Sequence, residues 1–251
     1  GVGELPLWPT ITLNALFDEH TDRRGLAEAL GELLSWLEPD HLSFHEVADQ
    51  DWERAWMDQY KPMAFGRRLW IYPWNIEPPA DHELVIVRLD PGLAFGSGTH
   101  PTTALCLEWL DGLDLAGKTI TDYGCGSGIL AIAALKLGAA SAVGIDNDPQ
   151  ALIASADNAE RNGVAHRLAL FLPQDANNTA ADVFIANILA GPLGELAPIF
   201  AAAAKPGAPF AISGILAGQQ DELLQRYAEW FDELRVDTRE DWVRISGRRR
   251  A

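Results

Sequence analysis

The chain has 251 residues and 48% hydrophobic content, enough for one large α/β domain, a smaller unit and a sizeable buried core. Its formal net charge of -17, with a pI of about 4.6, disfavours phosphate backbones and anionic membranes as partners and favours a basic one, while also serving solubility. The two cysteines, Cys106 and Cys125, read as free thiols in a reducing cytoplasm, because a disulfide at the second would disturb the glycine turn around it.

The opening residues, Gly1-Val2-Gly3-Glu4, carry no basic or apolar leader pattern, so no signal peptide is expected. Residues 10–16 alternate like a strand. Leu26, Leu30, Leu33, Leu34 and Leu37 form a helical stripe over 26–37, and residues 42–47 read as another strand. This is too little for an independent core. His41 and His45 are four apart, but no Cys, His or acidic cluster joins them at metal spacing, so no metal site is expected. Residues 51–60 read as a helix with Trp52 and Trp56 on one side, better suited to packing than to contact. Strands are expected at 68–72 and 83–89, separated by Pro73, Pro78 and Pro79.

Residues 90–103, Asp90 to Thr103, form a glycine-rich loop, and Pro101 suits the first position of a helix running to Leu110. Thr102 and Thr103 then lie in its first turn. Unpaired N–H groups there can hold a ligand, or the threonines can simply cap them.

The stretch Thr119 to Ala131 reads as a strand, a glycine turn and a helix start, with Gly124, Gly126 and Gly128 alternating. Such a turn lets the backbone approach a ligand, and the helix would aim its N–H groups at the same place. A dinucleotide site requires G-x-G-x-x-G; here the third glycine comes one residue early, and Asp122 precedes the first by two. A carboxylate there repels a pyrophosphate and favours a sulfonium. The pattern therefore suits S-adenosylmethionine rather than NAD, with Gly124 and Gly126 as cradle residues.

The run from Gly128 to Ile145 is interrupted by Lys136 and is not read as transmembrane. A buried strand at 141–148 ends in acid. Asp146 lies 22 residues after Gly124, where α/β nucleotide sites place the carboxylate for ribose hydroxyls, and Asp148 is the fallback. A helix at 149–162 and a strand at 168–172 follow. The apolar strand 182–187 ends at Asn187, at the carboxyl edge where open α/β sheets bind ligands. Helices at 193–204 and 217–231, and strands at 208–213, 232–238 and 241–246, complete a doubly wound pattern. Gly247 to Arg250 reads as a solvated tail.

The stretches LDPGLAFGSGTHPTT, DYGCGSGILAIAALKLGA, GIDNDP, DNAERNG, ANILAGPL and SGIL together resemble the ribosomal protein L11 methyltransferases, the PrmA type. The resemblance is close from about residue 50 onward and looser before it. It implies a class I methyltransferase fold, a Rossmann-like seven-stranded doubly wound sheet, preceded by a partial small α+β domain. The implied boundaries are 1–50 for substrate recognition, 51–80 for a linker helix and connecting segment, and 81–251 for the methyltransferase domain. The resemblance also implies S-adenosylmethionine as donor, and methylation of lysine side chains and the N-terminal amine of the large-subunit ribosomal protein L11. Family cofactor contacts fall on Thr103, Gly124, Asp146 and Asn187. The family's recognition domain opens with a further strand–helix–strand portion. This chain is expected to start after it and so to recognise substrate less well.

Asn187 is also the expected catalytic residue, since its amide can accept a hydrogen bond from an amine without adding charge. Competing readings are a methyltransferase for another protein or a small amine, and a non-catalytic S-adenosylmethionine-binding module. A nucleic-acid methyltransferase is disfavoured by the acidity and by the lack of a basic, aromatic-laced patch.

Overall fold

Strands that read as continuous apolar runs must be covered on both faces, and this requirement sets the architecture. The computed structural model describes residues 13–18, 20–34, 36–37, 39–45, 61–89, 99–176 and 179–251. The expected helix at 51–60 and the loop at 90–98 lie outside the described residues. The chain divides into two units, Gly1–Asp51 and Trp52–Ala251.

In the first unit, α1 (Arg23–Leu33) is capped by the Asp22 side chain, which accepts from the Arg24 N–H. The helix starts and stops earlier than its leucine stripe suggests, with Leu34 as its C-cap and Leu37 beyond it. None of its residues is buried, and Leu33 is 82% exposed. The two strands expected in this unit do not form over their described parts, as residues 13–16 and 42–45 are irregular. Alternation alone does not hold a strand without a neighbour to take its hydrogen bonds.

The second unit contains a small sheet and a large one. In the small sheet β1 (Met63–Phe65) pairs antiparallel with β2 (Leu69–Tyr72), which pairs parallel with β3 (Val85–Arg88). The large sheet is built from β4 (Thr119–Tyr123), β5 (Ser141–Ile145), β6 (Leu168–Phe171), β7 (Val183–Asn187), β8 (Pro209–Leu216), β9 (Phe231–Arg239) and β10 (Trp242–Arg249). Its order is β6-β5-β4-β7-β8-β10-β9, parallel except for the last two strands. The helices are α2 (Pro101–Asp111), α3 (Ile129–Lys136), α4 (Pro149–Arg161), α5 (Ala190–Glu195), α6 (Ala197–Ala203) and α7 (Gln220–Tyr227).

Alternation along the strands splits the core into two layers. Val183 and Ile185 face a layer that includes α2 and α3, while Phe184 and Ala186 face one that includes α5, α6 and α7. The latter contains stacked rings of Phe210, Tyr227 and Phe231.

Three readings of the sequence need correction. The helix expected at 193–204 is two helices meeting at Leu196, because Pro198 has no N–H to offer the Gly194 carbonyl. That carbonyl instead accepts from Arg226 Nη1 at 2.8 Å. The helix expected to reach 231 ends at Tyr227, since Phe231 begins β9. The expected solvated tail is part of the sheet: Gly247 and Arg248 pair with Phe210 and Pro209. Arg249 Nε donates to the Ala201 carbonyl at 2.9 Å.

The order β5-β4-β7 reverses chain direction beside β4, which opens a crevice beyond the carboxyl ends of these strands. Next to it, Gly214 (φ +90°) forms a bulge in β8, and a Cβ there would stand 2.0 Å from the Ile188 carbonyl oxygen. Gly214→Ala should lower the stability of the fold by about 2–4 kcal/mol, because both its φ and its backbone neighbour forbid a side chain. Denaturant titration against the parent measures this; a change below about 0.5 kcal/mol would show that the bulge relaxes.

Candidate active site

The crevice is lined by three consecutive strand ends. Tyr123 of β4 is in register with Ile145 of β5 and Ala186 of β7. The next residue on each strand is Gly124, Asp146 and Asn187, which therefore lie in a row across the carboxyl edge. Two strand spacings put Asp146 and Asn187 roughly 10 Å apart.

The glycine turn is held from several sides. The N–H groups of Gly124 and Cys125 both donate to the Ile145 carbonyl, at 2.7 and 3.0 Å. Gly126 N–H donates to Asp146 Oδ2 at 2.9 Å, and Asp148 N–H to Asp146 Oδ1 at 3.0 Å. From α4, Ser155 Oγ donates to the Gly126 carbonyl and Asn158 Nδ2 to the Ser127 carbonyl. Gly124, Gly126 and Gly128 all have positive φ. At Gly124 the room a side chain would need is already taken by the protein, since a Cβ would lie 2.1 Å from Ile188 Cγ2. The glycine there serves close packing of the two strand ends.

Asp122 is placed differently from the sequence expectation. It is 0% exposed and lies beneath the turn. Its Oδ2 accepts from the Ala131 N–H in the first turn of α3 at 3.1 Å, and the Ile129 N–H there goes to Ser127 Oγ. Two of the helix N–H groups expected to face a ligand are therefore used internally. Burial pushes the Asp122 carboxyl up to about 7, opposed by the Ala131 bond and reinforced by the nearby Asp146 charge.

Thr103 is buried in the first turn of α2, and its Oγ1 accepts from Asn187 Nδ2 at 3.4 Å. The capping expected of the threonines falls to His100, whose Nδ1 accepts from the Thr102 N–H and lies 2.8 Å from Thr102 Oγ1. Its ring meets Trp242 edge-on at 4.6 Å. Burial lowers the His100 pKa, partly offset by Glu240. Sequence reading passed over His100; the signal was its place directly before Pro101 at the helix start. Asn187 Oδ1 is buried and, among the described residues, accepts no hydrogen bond. Thr103, Gly124, Gly126, Asp146 and Asn187 thus come from four separate stretches to one edge.

The model of the family described as "Ribosomal protein L11 methyltransferase (PrmA)" matches residues 1–250. The chain belongs to this family. It is a methyltransferase, and S-adenosylmethionine is its methyl donor. The chain is 57% identical to the ribosomal protein L11 methyltransferase of Xanthomonas euvesicatoria pv. vesicatoria, over 100% of this chain and 84% of that protein. To that of Pseudomonas paraeruginosa it is 56% identical, over 100% of this chain and 85% of the other. The crystal structure of a ribosomal protein L11 methylase from Lactobacillus delbrueckii subsp. bulgaricus aligns with a TM-score of 0.66 and 32% identity, covering 76% of this chain and 99% of that one. Among the described residues no helix is long and apolar enough to cross a membrane.

The residues present fit a cationic donor. Segments 99–103, 119–131, 145–150 and 187–193 of the methyltransferase carry no Lys or Arg, while Asp146 presents a half-buried carboxylate and Asn187 an unsatisfied amide oxygen.

The buried Asp122 makes stability depend on pH. Its carboxyl sits at about 7 when folded, against an ordinary 3.8, so the folded state holds a proton that the unfolded chain releases. Its stabilising contribution is complete below pH 3.8 and is lost as pH rises to about 7. Asp122→Asn keeps an acceptor for Ala131 and cannot ionise. Between pH 4 and pH 7.5 the variant should gain on the parent by on the order of 2–4 kcal/mol in denaturant titrations. Parallel curves for the two proteins would show that Asp122 is ionised throughout.

Proposed function

We propose that this methyltransferase acts on the ribosomal protein L11, on lysine side-chain amines and the N-terminal amine. The same reading gives residues 1–50 to substrate recognition, 51–80 to a linker helix and connecting segment, and 81–251 to catalysis, in a cytoplasmic protein. The names of its relatives support the substrate, and the net charge of -17 suits a basic protein partner rather than nucleic acid or a membrane.

The observation that carries the chemistry is the buried Oδ1 of Asn187 beside the glycine cradle, which has no partner among the described residues. S-adenosylmethionine supplies a methyl group on a positively charged sulfur. Asp146 would accept its ribose hydroxyls through lone pairs left free by the two backbone bonds. Gly124 and Gly126 would hold it from the glycine turn. Thr103 fixes the Asn187 amide by taking its Nδ2 hydrogen, which leaves Oδ1 to accept from the target amine. The neutral amine nitrogen forms a bond to the methyl carbon as the carbon–sulfur bond breaks. The electron pair stays on sulfur, and the nitrogen then loses its extra proton to water. Asn187 contributes alignment, which is worth most in the transition state.

Mass spectrometry of L11 incubated with the parent and S-adenosylmethionine should show methyl-sized increments on amines. Asn187→Ala should reduce turnover about 100-fold and cofactor affinity by less, about tenfold, the pattern of a group that touches the cofactor and also aligns the reactants. Asn187→Asp should be as poor, because a carboxylate holds the amine as ammonium. Parent-like turnover in both would remove Asn187 from the chemistry, and L11 left unmodified even at high enzyme and L11 concentrations, with S-adenosylmethionine bound, would remove L11 as substrate. Asp146→Ala should weaken cofactor binding by about 1.5–3 kcal/mol in calorimetry, as expected for a lost bond to a charged group. Unchanged affinity would move the ribose contact to Asp148.

A further inference from the structure

Helix α2 carries Thr103 into the site, yet what holds it there comes from the far end of the chain. The antiparallel hairpin β9–β10 touches the helix at three levels. At its start the His100 ring meets Trp242. In its middle Arg244 Nη1 donates to the Leu105 carbonyl. Near its end Glu108 pairs with Arg239 at 2.8 Å.

Arg244 is the buried member of this set, 8% exposed, and its Nη2 is bound to Asp237 at 2.6 Å. A buried guanidinium is a poor way to add stability, because its desolvation offsets most of its attraction; what it specifies is geometry. Its position in the sheet indicates which geometry. Asn187 of β7 is in register with Ser213 of β8, Ser213 with Arg244 of β10, and Arg244 with Asp237 of β9. Residues directly opposite on paired strands share a face, so these four form one row toward α2. The helix answers the row from one end to the other. Thr103 meets Asn187, the Cys106 thiol lies by the Ser213 hydroxyl, and the Leu105 carbonyl meets Arg244. The alignment depends on the bulge at Gly214, between the partners of Val243 and Arg244. Without it the register set by Val243 and Ile215 would run on, and Ile245 would take the place of Arg244 opposite Ser213.

We propose that Arg244 is a positioning residue for methyl transfer, fixing α2 against the sheet so that Thr103 meets Asn187. The proposal rests on the site reading of Thr103 and Asn187 given above. Arg244 touches neither cofactor nor substrate; it acts through the helix.

The test is a double-mutant cycle read by calorimetry with S-adenosylhomocysteine, which binds the site without reacting and requires no protein substrate. Arg244→Met should weaken affinity about tenfold, and Arg244→Lys should recover most of that. In a Thr103→Val background Arg244→Met should cost less than about twofold more, because the contact it maintains is already gone. A merely structural Arg244 would lower the thermal midpoint alone, or would add its full loss of affinity to that of Thr103→Val, and either result overturns the proposal. If Arg244→Met does not fold, Arg244→Gln takes its place in the same cycle under the same criteria. Should Thr103→Val leave affinity untouched, the site reading fails and the proposal with it, whereas additivity with an effective Thr103→Val sinks the proposal alone.

Discussion

The carboxyl group of Asp122 stands between β4 and the first turn of α3, out of contact with solvent and bonded to the Ala131 N–H. Much of the site depends on that placement. It joins the strand to the helix beneath the glycine turn. It carries a cost, because burial penalises its ionised form, and Asp146 on the neighbouring strand adds to the penalty. Asp146 in turn holds the turn from the side through Gly126. The cradle is therefore fixed by two carboxyl groups, one dry and one partly wet. Such an arrangement suits a ligand that brings a positive charge, and it penalises a phosphate.

The same economy appears across the carboxyl edge of the sheet. Inside the sheet the backbone is satisfied and the side chains are apolar, so polar chemistry is confined to the strand ends. Asn187 reaches Thr103 across 84 residues of sequence. That meeting rests on the place of Asn187 at the end of β7 and on α2, which β9 and β10 touch. The antiparallel hairpin at the end of the chain thus bears on a contact at the centre of the sheet.

Charge is distributed with similar consequence. Arg88, Arg167, Arg226, Arg244 and Arg249 each donate to main-chain carbonyls within the fold. Their charge thus serves local structure while the chain as a whole keeps a net charge of -17. An excess of negative charge favours basic partners over anionic ones, with a strength that falls as salt rises.

The strands of the large sheet, the glycine turn, and the positions of Asp146 and Asn187 were legible in the residues themselves. Buried parallel strands announce themselves as apolar runs, and polar residues at their ends stand out against them. Local chemistry was also sufficient for Pro101 at the start of α2. The split of α5 from α6 was readable too, in Pro198, but helical periodicity across 193–204 masked it. Other features had no local signal. Arg248 and Arg249 look like a tail until β8 supplies edge hydrogen bonds and the Ala201 carbonyl an acceptor. Asp122 looks like a charge facing a ligand until α3 folds over it. Arg244 is one arginine among several until β10 pairs with β8, sets it opposite Ser213 and brings it to the Leu105 carbonyl of α2. Sequence periodicity determines which face of an element is apolar; which polar group ends up dry, and against what, is decided only when distant elements close on it, because burial and register are properties of the packed whole.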